Sequence, residues 1–255
     1  MRLPLYFACL AASGLVISGC DKSPAKGDAE TTKAVAVDAA FGEKVRAYLI
    51  QNPEVLIEVS QALQAKQAAE EQRAAEDGRK RIPKFRMQLE KDKRDFVANP
   101  DGKVTVVQFY DYNCGYCKLI APEVLELIRK NPDVRFVFKD YTLGNFGPTS
   151  EYAAAAARAL NEKGLFLDSH AEMMSRKPLT DAMVDDLLRR NGIDPKTVRA
   201  LEASPAQQQY IQDTRKLAGD LGLNGTPAFV IGDTVVPGAD PTALRAAIQA
   251  AKANR

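Results

Sequence analysis

Apolar residues along this chain fall into two periodicities, and the places where one gives way to the other mark out its elements. Two short runs read as strands. Residues 103–110 (KVTVVQFY) are β-branched and aromatic, and residues 134–141 (VRFVFKDY) alternate apolar with polar. Between them Val124, Leu125, Leu127 and Ile128 keep a helical spacing, so a helix joins the two strands. From Ser150 to Leu221 the pattern is helical throughout, over 151–162, 166–175, 180–190, 194–203 and 205–221. Upstream, residues 41–63 predict two helices divided at Asn52-Pro53. There Asn52 can cap and Pro53 can take the first helical position, where its missing N–H costs nothing. Leu56, Val59 and Leu63 form one apolar stripe, and the following residues 64–81 (QAKQAAEEQRAAEDGRKR) offer almost nothing to bury. That polar stretch reads as a solvated helix or a spacer. A narrow stripe with no core of its own must meet the main domain or another subunit, and another subunit is the favoured partner.

The first twenty residues change the picture by naming a compartment. One cation at Arg2, an apolar run from Leu3 to Ile17 and small residues after it have the layout of a secretory signal. The run is shorter than the roughly 20 residues of a membrane-spanning helix. Its ending, Ile17-Ser18-Gly19-Cys20, resembles a bacterial lipobox, which implies cleavage before Cys20 and a lipid on its sulfur. An ordinary signal peptide cut nearby is the alternative. The expected organisation is therefore a lipoprotein signal peptide (1–19) and a disordered tether (20–37) too polar to fold. A helical oligomerisation arm and spacer (38–82) and a main domain (83–255) follow. The expected location is the bacterial periplasm, with the chain membrane-anchored by its N-terminal lipid. With 35 basic and 33 acidic residues the net charge is +2, which supplies no field for nucleic acid.

If Cys9 leaves with the signal and Cys20 carries lipid, Cys114 and Cys117 are the only thiols left. They sit at the strand-to-helix junction. A helix start has unpaired N–H groups and a partial positive charge that favour a thiolate, so Cys114 is the expected attacking sulfur. Cys117, three residues on and more enclosed, is placed to close a disulfide and release a mixed disulfide. No cofactor or metal is expected, because a zinc site needs about four ligands and no second Cys or His cluster exists. His170, the single histidine, reads as a packed or surface residue, and Met173-Met174 as core filling. Residues 153–157, all alanine, read as a close-packing helix face, while Asp101, Asp185 and Asp186 show no spacing for metal or acid–base work. Two alternatives stand beside thiol exchange: an envelope copper or zinc chaperone sharing an ion across subunits, and a structural lipoprotein without turnover.

The run CGYCKLIAP resembles the active-site helix of the thioredoxin superfamily, including the proline five residues after the second cysteine, here Pro122. Residues 224–231 (NGTPAFVI) resemble the superfamily's cis-proline strand entry, which implies that Pro227 is cis and that Thr226 faces the cysteines and holds substrate backbone. An all-helical insertion at about 150–221 resembles the plan of the DsbA-like branch. The implied fold is α/β, a thioredoxin fold with that insertion, preceded by an α-helical N-terminal arm. Residues 41–63 (FGEKVRAYLIQNPEVLIEVSQAL) resemble the oligomerisation segment of ScsC-type proteins, so a homo-oligomer, most simply a trimer, is implied. Implied partners are unfolded or misdisulfided envelope proteins and a membrane thiol reductase or oxidase. The Gly115-Tyr116 dipeptide and the Thr before the cis-proline are similar to DsbC isomerases, which leans the expected activity toward isomerase or reductase. One position departs: the superfamily's buried acid six residues before the first cysteine is here Gln108, so a water, Lys139 or Asp111 would have to take the Cys117 proton.

Overall fold

The computed structural model of the protein describes residues 38–254. The expected signal peptide, Cys9, the Cys20 lipid site and the tether lie outside the described residues. The core is a five-stranded sheet of β1 (Phe96–Ala98), β2 (Val104–Tyr110), β3 (Val134–Asp140), β4 (Ala228–Ile231) and β5 (Thr234–Pro237) in the order β1-β3-β2-β4-β5. Strands β2 and β3 run parallel, with Gln108 opposite Phe138, and helix α3 (Gly115–Lys130) makes the crossover between them. The other pairings are antiparallel. Strand β2 is apolar nearly throughout because both of its faces are covered. Val104, Val106 and Tyr110 pack in the core that holds α3, whereas Val107 and Phe109 belong to a second core on the opposite face.

That opposite face is covered by α2 (Glu54–Glu90) and α8 (Pro205–Asp220). The polar stretch 64–81 is part of α2, which runs without a break past the expected spacer. Beyond it Ile82 and Leu89 are fully buried, and Phe85 packs beside them. Gly78 marks the closest approach: a Cβ there would lie 2.1 Å from the Leu221 carbonyl oxygen. Only glycine allows that contact.

The helical insertion comprises α4 (Thr149–Asn161), α5 (Phe166–Ser175), α6 (Asp181–Arg190), α7 (Pro195–Glu202) and α8. Its bounds follow from caps: the Thr180, Asp194 and Ser204 side chains accept the first free N–H groups, and Pro195 and Pro205 stand at the helix starts. Alanines 153–157 are all buried, which lets α4 pack closely on its neighbours. Helix α9 (Pro241–Ala253) completes the chain's described elements.

In the arm, α1 (Ala39–Gln51) is capped by Asp38 and has no buried residue. Phe41, Val45, Tyr48, Leu56 and Ile57 are exposed, as are Val59 and Leu63 further along α2. Asn52 stands between the two helices, and its carbonyl accepts the Val55 N–H at 3.2 Å as the second one begins. Its backbone N–H and side-chain amide both donate to the Tyr48 carbonyl, at 2.8 and 2.9 Å, so it closes α1, and α2 begins at Glu54 after Pro53. An Asn amide is a donor as well as an acceptor, and here the donor side is used.

Candidate active site

Strand β2 ends at Tyr110, and the turn Asp111-Tyr112-Asn113 delivers the chain to Cys114, the N-cap of α3. The turn is held from several sides. Asp111 Oδ1 accepts from the Asn113 N–H and the Ser150 hydroxyl, each at 2.7 Å, and Cys114 N–H donates to the Asp111 carbonyl at 3.2 Å. The Asn113 side chain donates to the Leu179 carbonyl and accepts its N–H, which ties the turn to the loop between α5 and α6. Cys114 and Cys117 are both reduced, at 3% and 0% exposure. The Cys114 thiol donates to the Thr226 carbonyl at 3.2 Å, and the Thr226–Pro227 peptide is cis. The fold thus brings together Cys114, Cys117, Thr226 and Pro227. A second cis peptide, Lys177–Pro178, lies in the insertion.

The two sulfurs divide one proton unequally. Cys114 is held down to about 6, first by the Cys117 thiol as hydrogen-bond donor, against the opposing effect of burial, and then by Thr226 and the backbone N–H groups of Cys117 and Tyr116. Cys117 is pushed well above the usual thiol range by burial, by donating a hydrogen bond to Cys114 and by the charge on that sulfur. Thr226 Oγ1 is buried and makes no hydrogen bond of ordinary geometry among the described residues, though it lies close enough to Cys114 to favour its thiolate. It is therefore free to turn toward Cys114 once the thiol that points at the Thr226 carbonyl loses its proton. Beside Cys114, Tyr116 and Leu119 are 66% and 63% exposed, and with Leu143, Phe146 and Gly225 they border an open groove of about 550 Å³.

Gln108 is buried on the α3 side of β2, with both ends of its amide unpartnered among the described residues. Lys139 cannot compensate for the missing acid. It lies on the opposite sheet face, where it is ion-paired with buried Asp95 at 2.6 Å and donates to the Gln88 carbonyl at 2.5 Å. His170 is a packing residue: its ring sits among Tyr110, Tyr112, Phe138 and Phe166, 3.0 Å from the Tyr112 hydroxyl, and burial lowers its pKa to about 3. Met173 and Met174 are buried core residues, and Asp185 and Asp186 bond Tyr152, Arg189 and Arg190. Sequence reasoning passed over Lys118, which is almost fully buried beside the cysteines and donates to the Met173 carbonyl at 3.4 Å. Helical spacing held the signal, since Lys118 is four residues after Cys114 and three before buried Ala121.

Comparison with known proteins agrees with this geometry. Residues 38–70 match the copper resistance protein ScsC N-terminal domain. Proteus mirabilis ScsC in a transitional conformation is 30% identical, covers 86% of this chain and 100% of its own, and superposes with a TM-score of 0.61. A thioredoxin-like oxidoreductase from Silicibacter pomeroyi is 34% identical over 66% of this chain and 97% of its own, with a TM-score of 0.60. The Na(+)/H(+) antiporter NhaA 3 of Salinispora tropica is 31% identical over 142 residues, and the chain spans only 22% of that relative's length. The DSBA-like thioredoxin domain matches residues 105–249. With that match over more than half of its length, the chain belongs to the DSBA-like thioredoxin domain family.

Proposed function

We propose that the protein catalyses thiol-disulfide exchange on unfolded or misdisulfided proteins of the bacterial envelope through Cys114 and Cys117, as an isomerase or reductase rather than a strong oxidant. The observation that carries this is a sulfur held ionised near neutral pH beside the Thr226 backbone. Cys114 attacks a client disulfide and forms a mixed disulfide, releasing one client thiolate. Attack by a second client thiol then returns Cys114 and leaves a rearranged client. Attack by Cys117 instead frees a reduced client and leaves the Cys114–Cys117 disulfide, which a membrane thiol reductase would reopen.

Two features support the direction and the substrate class. A Cys114 pKa of about 6 lies between the values of about 7 for thioredoxin and 3.5 for DsbA, which stabilises the reduced pair less than in a strong oxidant. The groove offers Tyr116, Leu119 and Phe146 with the Thr226 backbone, apolar and main-chain contacts that accept many sequences. The exposed apolar residues of the arm and the match of residues 38–70 support assembly into a homo-oligomer, most simply a trimer, with several Cys114 groups facing one client. Cys20 is the proposed lipid attachment, holding the protein in the periplasm at a membrane.

Refolding of scrambled ribonuclease, beside insulin reduction, tests the activity. The protein should accelerate both, Cys114→Ala should abolish both, and Cys117→Ala should accumulate mixed disulfides. Wild-type rates equal to the uncatalysed ones refute the proposal. Sedimentation with and without residues 38–63 tests the arm: equal monomers with equal isomerase rates would remove it from the function.

A further inference from the structure

Cys117 is completely buried, so the proton it must lose before attacking a mixed disulfide on Cys114 needs a local acceptor. Gln108 cannot take a proton, and Lys139 is on the far face of the sheet. His170 Nδ1 is engaged with Tyr112, and Asp140 accepts the Tyr110 hydroxyl at 2.5 Å. One buried carboxylate stands beside the cysteines, on the residue whose backbone carbonyl accepts the Cys114 N–H at 3.2 Å. Asp111 is 1% exposed; its Oδ1 accepts two hydrogen bonds, while its Oδ2 is buried and makes no hydrogen bond of ordinary geometry among the described residues, the Leu143 N–H being the further backbone donor that faces the carboxylate. The backbone N–H of Asp111 itself faces the Cys117 sulfur and favours its thiolate. Buried Lys118 adjoins this pair from the next position on α3, with the Met173 carbonyl as its hydrogen-bond partner.

We propose that Asp111 is the base that takes the Cys117 proton during resolution, and that Lys118 is a positioning residue that keeps the Asp111 carboxylate ionised. Together they replace the acid that Gln108 lacks. This rests on the exchange activity proposed above and adds the proton route to it. In the step, the Cys117 S–H bond breaks and its proton passes to Asp111 Oδ2. The Cys117 sulfur then forms a bond to Cys114, the bond between Cys114 and the client sulfur breaks, and the client leaves as a thiolate that reclaims the proton from Asp111 or water. Client disulfide is reduced by two electrons and the Cys114–Cys117 pair is oxidised by two.

The electrostatics fit these roles. Burial raises the Asp111 pKa, which makes it a better base than a solvated carboxylate, while Ser150, the Asn113 and Leu143 N–H groups and the Lys118 charge limit the rise. Burial also brings Lys118 down to about 8, opposed by attraction to Asp111 and both sulfurs and reinforced by repulsion from Lys177. Asp140 is the further carboxylate coupled to Asp111, and each opposes ionisation of the other.

The test is stopped-flow reaction of the full chain, reduced, with the aromatic disulfide 5,5′-dithiobis(2-nitrobenzoate) from pH 5 to 10. Cys114 releases the first thionitrobenzoate and Cys117 the second, so the two cysteines are read separately. Asp111→Asn should slow the second release by roughly tenfold or more at pH 7. Its rate should then climb about tenfold per pH unit as hydroxide does the work, where wild type has levelled off. Lys118→Met should move the wild-type inflection to higher pH, and Gln108→Glu placed in the Asp111→Asn chain should restore the second release. A second phase whose rate and pH profile are unchanged in Asp111→Asn overturns the proposal. If that variant does not fold, an unchanged profile in Lys118→Met overturns it. Absence of the first phase in wild type would instead refute the exchange activity itself.

Discussion

Removing the Cys117 side chain should make Cys114 a weaker acid, although nothing else near Cys114 is touched. The Cys117 thiol is the largest influence lowering Cys114 to about 6, ahead of Thr226 and the helix-start N–H groups. A hydrogen bond to a charged partner contributes about 1.5–3 kcal/mol, and a thiol is a weak donor, so the lower end applies. Since 1.36 kcal/mol corresponds to one pKa unit, Cys117→Ala should raise the Cys114 pKa by about one unit. At pH 6 the thiolate share then falls from about half to about a tenth, and alkylation slows about fivefold. The assay is the pH dependence of iodoacetamide modification at Cys114, resolved by mass spectrometry. Cys117→Ser, which keeps a donor, should stay near wild type. A half-maximal pH in Cys117→Ala at or below the wild-type value would refute the assignment of the proton to Cys117.

Two further outcomes concern the frame around the site. Gly78→Ala should lower the melting temperature, because the new Cβ meets the backbone oxygen of Leu221, and the overpacking cost of about 1–3 kcal/mol outweighs the roughly 1 kcal/mol that alanine gains in a helix; an unchanged or higher melting temperature would mean α2 is not seated there. His170 has a folded pKa of about 3 against 6.5 when unfolded, so the unfolded chain takes up a proton first and stability is lost as pH falls from 6.5 toward 3. Asp95 and Asp140, raised to about 6 chiefly by burial, act in the opposite sense over pH 6 to 4, so the test is a difference. Between pH 7 and 4 the wild type should lose about 3 kcal/mol relative to His170→Gln in denaturant unfolding, and a constant difference would show that the histidine is not held neutral.

Much of the frame is legible along the chain, and the exceptions share a cause. Strands β2 and β3 and the five insertion helices lie within about two residues of their patterns, since each is long enough to show a period and most end at a cap. Strand β1 has three residues, too few for any period, and its existence is decided by pairing with β3. The end of α2 is half legible. Ile82, Phe85 and Leu89 recur at three and four, but the polar helix before them hides that they begin a buried face.

The site divides in the same way. Cys114 and Cys117 stand out by local spacing, whereas Thr226 reaches Cys114 from 112 residues away, a meeting that only the family resemblance of residues 224–231 announces. The choice between Lys139 and Asp111 as partner for Cys117 shows where local pattern stops. Both are polar, both follow apolar strand positions, and both are buried. What separates them is register: Gln108 pairs with Phe138 across a parallel ladder, so Lys139, one residue on, turns to the face that Phe109 occupies, away from α3. Asp111 escapes that alternation because β2 has already ended at Tyr110, and the turn carries its backbone N–H to the Cys117 sulfur. A one-residue difference in where a strand stops therefore decides which side chain can serve the buried thiol.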